Sequence, residues 1–196
     1  ISLADEFLGK GSCIVYTEGL HSPRQEAMAS DKGDFEEGNL VVLIDEFSAS
    51  SSEIVSGAVQ DWDRGLIVGR RSFGKGLVQR QVPMGDGSAI RLTIARYHTP
   101  SGRVIQRPYE RGQKEEYYRA HTSRLLGEQS DSVETSRPVY KTLLSGRTVY
   151  GGGGISPDVV VHSDTTRVSD YMIKLLSQGL YRDFVMSYLD DNRNTL

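Results

Sequence analysis

The chain has 196 residues, a formal net charge of -3, 37% apolar residues and 25% charged ones. That composition suits a globular domain with one sizeable core. It offers no basic excess for nucleic acid and no apolar run long enough to span a bilayer, and Cys13 as the single cysteine leaves no intrachain disulfide and little basis for a thiolate metal site.

The chain opens at Ile1, and SLADEFLG reads as the end of an amphipathic helix with Leu3, Phe7 and Leu8 on one side. A longer parent protein is therefore expected, and a missing signal peptide says nothing about export. CIVYT (13–17) and LVVLID (40–45) are β-branched and apolar, as buried strands are, and Cys13 reads as a buried strand residue. The polar GLHSPRQEAMASDKGDFEEGN between them reads mostly as loop. Ile54, Val55, Ala58, Val59 and Trp62 mark one face of a helix over 51–62. GLIVG (65–69) is a further short buried strand. LVQRQV (77–82), MGDG and SAIRLTIARY (88–97) predict a hairpin with an Asp-Gly turn, Ile90, Leu92 and Ile94 alternating with Arg91 and Thr93.

Residues 106–141 are polar and charged and read as an insertion. TVYGGGGISPDVVV returns through a glycine loop to a strand ending near Val161, and the last stretch reads as two helices split around Gly179, with Ser169 and Asp170 where an N-cap belongs. The order predicts a mixed α/β fold in one domain over 1–196, with helices over 167–196.

FSASSSEIVSG (47–57) holds five serines, Ser48, Ser50, Ser51, Ser52 and Ser56. A nucleophilic serine needs a base beside it. The histidines at 21, 98, 121 and 162 lie in no Gly-x-Ser-x-Gly elbow; a Ser-His-Asp site stays open but unsupported. A lysine can serve when it is neutral, and desolvation is what makes it so. Lys75, in SFGKGLVQ, has Phe73, Leu77 and Val78 as neighbours, and Gln79 follows at an offset that allows an amide to hold the amine. GRRSFGKG also fits the first seven positions of a phosphate-binding loop. The eighth is Gly76 rather than Ser or Thr, and a strand-like run follows instead of a helix, which argues against a nucleotide. Ser50 alone could be a plain N-cap, and Lys75 alone a solvated strand-end lysine. Ser52 and Glu53 read as first-turn capping residues and Ser56 as helix surface. GGGG (151–154) reads as a turn in preference to an anion cradle.

Taken together, SASSSEI, GRRSFGKGLVQ, GDGSAIRLTIARYHTPSGRVIQ and GGGGISPDVVV resemble the carboxy-terminal processing proteases, tail-specific serine peptidases with a Ser-Lys centre. The likeness is strong over about 40–106 and looser over 146–196. It implies a partial crotonase- or ClpP-like ββα catalytic domain, a mixed sheet with flanking helices. It implies Ser50 as nucleophile, Lys75 as base, Gln79 as the residue orienting Lys75, and the N–H of Ser51 as an oxyanion donor. No metal or organic cofactor, nucleotide or nucleic acid is implied. The partners implied are unfolded or tail-exposed polypeptides, in the periplasm or cell envelope, with any membrane tether outside this chain. The family's PDZ domain and its glycine-rich oxyanion segment are not matched here. A second reading is therefore a non-catalytic binding or scaffold module on the same fold, with Tyr109, Tyr117, Tyr118 and Tyr140 of the insertion as a docking surface.

Overall fold

The computed structural model describes residues 1–109, 112, 113, 115, 117, 119, 122, 137–162 and 169–193. His121, Tyr118 and much of the 106–141 stretch lie outside the described residues. The chain divides into two compact units, Ile1–His162 and Ser163–Leu196.

The first unit is mixed α/β, as expected. A short helix α1 (Ser2–Asp5) leads into β1 (Cys13–Gly19), β2 (Ser22–Met28) and β3 (Val41–Ile44). Helix α2 (Ser51–Asp61) and strand β4 (Leu66–Gly69) follow, then the hairpin β5 (Leu77–Pro83) and β6 (Ala89–His98). The strands β7 (Val139–Lys141), β8 (Thr148–Tyr150) and β9 (Val159–Val160) complete it. One antiparallel sheet has the order β2-β1-β6-β5, a parallel sheet the order β3-β4-β9, and β7 pairs with β8. Parallel β3 and β4 need a crossover, and α2 supplies it.

The helix reads as its periodicity predicts. Ala58 and Val59 are fully buried, and Ile54, Val55 and Trp62 pack on the same core, which also holds Ile14, Ile44, Ile67, Ile105 and Ile155. Trp62 ties the helix to β1 by donating its Nε1–H to the Cys13 carbonyl at 2.8 Å. The C-terminal end of α2 is polar and buried. Fully buried Asp61 pairs with fully buried Arg103, and accepts the Ser101 N–H at 2.9 Å. Arg103 also donates to Gln60 Oε1 at 3.0 Å. Just past the helix, Asp63 holds Arg147 Nε and Ser145 Oγ, each at 2.7 Å. Burial pushes the Asp63 carboxyl up, but hydrogen bonds from the Ser145 backbone and hydroxyl, Arg147 and Thr142 outweigh it and hold the carboxyl well below the usual range.

Four expectations are corrected. The stretch 22–28 is a strand. Its polar side chains hide it because it is an edge strand with mostly exposed residues, held by backbone pairing to β1 and by Arg24 over the Tyr16 ring at 3.7 Å. In α1 it is Ala4 and Leu8 that are buried while Leu3 is exposed, because four residues are too few to carry one helical stripe as far as Leu8. Ser56 is buried and donates to the Ser52 carbonyl at 2.8 Å; it sits on the side of α2 turned to the core. Ile90 and Leu92 are exposed, since β1 pairs with β6 only at Arg96–His98 and the rest of the hairpin extends past the core.

In the second unit α3 (Asp170–Ser177) starts at Ser169, whose Oγ accepts the Met172 N–H at 3.2 Å. Gly179, with φ of 70°, separates it from α4 (Leu180–Asn192). Among the described residues no helix is long and apolar enough to cross a membrane.

Candidate active site

Ser50 stands at the junction of the β3 turn and α2, with φ of 57° and ψ of -111°. An ordinary N-cap is extended, so this backbone is strained for a serine. Three contacts hold it. Its N–H donates to Glu53 Oε2 at 2.9 Å, its carbonyl accepts from the N–H groups of Glu53 and Ile54, each at 3.0 Å, and its Oγ lies 2.9 Å from Tyr97 Oη. The next N–H, that of Ser51, has no hydrogen-bond partner among the described residues. It points where a helix N-terminus favours negative charge.

Glu53, read from sequence as a first-turn cap, is fully buried. Its carboxylate takes four donors: Ser50 N–H at 2.9 Å, Ser72 Oγ–H at 2.5 Å, Gly74 N–H at 2.6 Å and Lys75 N–H at 2.9 Å. One side chain therefore fixes the spacing between the serine turn and the lysine loop. The remaining N–H groups of that loop are also occupied. Ser72 donates to Ile155 O at 3.0 Å and Phe73 to Ser48 O at 2.9 Å, and Gly76 donates to Gln106 Oε1 at 2.9 Å. This removes the phosphate-loop alternative, because every amide from 72 to 76 is consumed internally and strand β5 follows. The Gly74 and Lys75 amides cradle an anion of the chain's own, Glu53.

Gly74 and Gly76 are there for close approach. At Gly74, with φ of +89°, a Cβ would come within 2.5 Å of Arg107 Cγ, and at Gly76 within 2.8 Å of the Gln106 N. The 105–107 segment packs there, with Arg107 N–H donating to the Gly74 carbonyl at 3.0 Å.

Lys75 itself is exposed, contrary to the desolvation its apolar sequence neighbours suggest. Its amine makes no hydrogen bond among the described residues. The loop pins the backbone, and the side chain emerges on the wall of a cleft of about 880 Å³ shared with Gln79 and Arg107. Gln79 donates to Thr93 Oγ1 at 3.5 Å rather than engaging Lys75. The register shift between Val78 and Gln79 interrupts the simple alternation that would have aligned the two. Ser50 is not on the wall of that cleft. It is tied to the lysine loop through Glu53 and through Tyr97.

Tyr97, within the stretch GDGSAIRLTIARYHTPSGRVIQ, has no role assigned to it from sequence. It is buried at the end of β6, and its N–H donates to the Gly76 carbonyl at 3.0 Å, so one residue bonds both the serine hydroxyl and the lysine loop. Among the described histidines, His98 stacks on Tyr16 at 4.6 Å, and His21 and His162 are exposed; none of the three hydrogen-bonds Ser50, whose Oγ meets Tyr97. The glycine loop is a bonded turn, with Gly151, Gly152 and Gly154 N–H donating to Pro138, Val104 and Ile105 carbonyls at 2.9, 2.6 and 2.8 Å.

Residues 1–114 match peptidase family S41. The chain belongs to that family. This S41 chain is 49% identical over 107 residues to a carboxy-terminal-processing protease of Bartonella bacilliformis, covering 54% of this chain and 24% of that protein. It is 40% identical over 96 residues to a carboxyl-terminal-processing protease of a Synechocystis species, covering 49% and 22%. It is 38% identical over 101 residues to the chloroplastic carboxyl-terminal-processing peptidase 1 of Arabidopsis thaliana, covering 52% and 21%. The chain thus spans about a quarter of the length of these relatives. Among solved structures, a photosystem II D1 C-terminal processing protease superposes with a TM-score of 0.52 at 27% identity, over 85% of this chain and 31% of that one.

Proposed function

We propose that this S41 chain forms part of a serine endopeptidase acting on unfolded or tail-exposed polypeptides. Lys75, as the neutral amine, takes the proton of Ser50 Oγ, which attacks the scissile carbonyl. The Ser51 N–H stabilises the oxyanion, a contribution of roughly 3 kcal/mol in comparable sites. The proton passes from Lys75 to the leaving amine, leaving an acyl-enzyme. Lys75 then deprotonates a water, whose oxygen attacks the ester carbonyl; the Ser50 Oγ–carbonyl bond breaks, the carboxyl product leaves, and Lys75 returns the proton to Ser50 Oγ. Tyr97 holds the serine hydroxyl in place throughout. Gln79 is the group available to orient the Lys75 amine. An exposed amine is solvated, so the desolvation this chemistry needs is left to whatever covers the cleft, the substrate included.

The observation that carries the reading is the strained Ser50 turn at a helix N-terminus, fixed to the lysine loop by one buried carboxylate. The named relatives support processing of polypeptide C-termini, and their bacterial and chloroplast sources support an exported setting, the periplasm or cell envelope. The observation favouring a non-catalytic binding module is the open Lys75, joined by hydrogen bonds to neither Ser50 nor Gln79.

The test is cleavage of an unstructured polypeptide with an apolar C-terminal tail by the full-length protein. Ser50→Ala and Lys75→Ala should each lower kcat/KM by about 10³-fold or more with the fold intact. Equal cutting after Ser50→Ala refutes the assignment. Binding without cutting, unchanged by Ser50→Ala, favours the scaffold reading.

A further inference from the structure

The cleft beside Lys75 has a charge pattern that the proposed chemistry does not use. Among the described residues that line it, three are cations, Lys75, Arg96 and Arg107, and none is an acid, in a chain whose net charge is -3. Arg107 is the unusual member. It is only 9% exposed, and its guanidinium lies over the Phe73 ring at 4.5 Å and the Tyr117 ring at 4.1 Å. Its Nε and Nη2 are enclosed without a hydrogen-bond partner, and no carboxylate pairs with it among the described residues. Arginines of comparable burial elsewhere in the chain are matched: Arg103 by Asp61, and Arg137 by the carbonyls of Gly151 and Gly154 and by Ser156 Oγ.

Enclosing a guanidinium with too few acceptors is costly, and stacking on aromatic rings offsets only part of that. The fold nonetheless makes room for it, since Gly74 leaves the space that the Arg107 Cγ fills. A cation that is preorganised, poorly hydrated and without a counter-charge among the described residues, on the wall of an open cleft, is suited to receive an anion.

We propose that this cleft is a subsite for a carboxylate of the polypeptide substrate, with Arg107 as the residue that recognises it and Arg96 adding to the positive field. This rests on the reading of the chain as a peptidase. The carboxylate is either an acidic side chain or the terminal α-carboxylate of the substrate. The apolar wall, with Phe73, Leu77 and Tyr117, accepts the rest of the chain that carries it. Occupancy also covers Lys75, which is the desolvation the base lacks in the open cleft.

The test uses binding, so that it does not depend on cleavage. The full-length Ser50→Ala protein is titrated with fluorescent peptides of one sequence in three forms: with Glu, with Gln in its place, and with Glu and an amidated C-terminus. Binding of the Glu form about tenfold tighter than the Gln form, insensitive to amidation, assigns a side-chain carboxylate. The reverse pattern assigns the terminal one. Arg107→Gln should abolish whichever preference is seen, and Arg107→Lys should retain part of it. A purely structural Arg107 would weaken all three peptides alike, and its replacement would lower the thermal midpoint without changing their order. Equal affinity for the three peptides in the parent protein, or a preference that survives Arg107→Gln, overturns the subsite. If the carboxylate preference is present but the unsubstituted protein cuts none of the peptides, the peptidase reading fails while the subsite stands.

Discussion

At the N-terminus of α2, Glu53 is fully buried and its carboxylate takes four hydrogen bonds, whereas Lys75 and Gln79 stand exposed, and among the described residues their side chains make one long hydrogen bond, from Gln79 to Thr93 at 3.5 Å. The same contrast runs along the elements. Both ends of α2 are anchored by buried acids, Glu53 at one end and Asp61 at the other. The β5–β6 hairpin keeps Val82, Met84, Ile90 and Leu92 exposed. The Ser50 side is finished by folding. The lysine's side has its backbone fixed and its side chains waiting for a partner. Substitutions on the first side should therefore cost stability, and those on the second should cost turnover alone.

The largest break is expected at Glu53. Glu53→Gln replaces an acceptor oxygen with an N–H₂ group among four donors, leaving at least one buried N–H unmatched. A loss of about 3 kcal/mol is expected, read as a lower urea midpoint, together with loss of peptidase activity. An unchanged midpoint would show that the hub is not holding the two loops. Asp63→Asn should cost about 2 kcal/mol at neutral pH. The Asp63 carboxyl is held below its ordinary range when folded, so its contribution is present above the unfolded value of about 4 and is lost as pH falls through the folded one. The stability gap between the parent and Asp63→Asn should be flat from pH 7 to 5 and close in more acid solution; a gap that widens with acid contradicts the assignment. The smallest effect sits on the boundary between the two sides. Tyr97→Phe keeps the buried ring and deletes the 2.9 Å contact to Ser50 Oγ. It should lower kcat about tenfold, as loss of one hydrogen bond does, with KM and the urea midpoint little changed.

What the sequence made legible follows the same divide. Ala58 and Val59 on the buried face of α2 and the paired arms of the hairpin were readable, because local periodicity sets them; β3 and β4 were readable as strands, but β3 was read as buried and leaves Val41 and Leu43 exposed. So was the place of Ser50 at a helix start. The burial of Glu53 was not readable, because a glutamate in a first turn looks alike whether it faces water or a loop folded back on it. Lys75 was misjudged for a related reason: Phe73 and Leu77 are apolar neighbours in sequence, but chain proximity does not say which way the lysine emerges. Strand β2 was hidden because backbone pairing at an edge asks little of side chains. Tyr97 gained a role only when β6 was laid beside the helix start.

The φ of 57° at Ser50 has a bearing on descent as well as on chemistry. Glycine adopts that backbone without the steric cost, of order 1 kcal/mol or more, that a serine bears there. A single-base change from certain serine codons gives glycine, so drift at this position has a downhill route in stability that, on the proposed mechanism, ends in a chain unable to cut. A lineage released from the need to cleave would then be expected to take it.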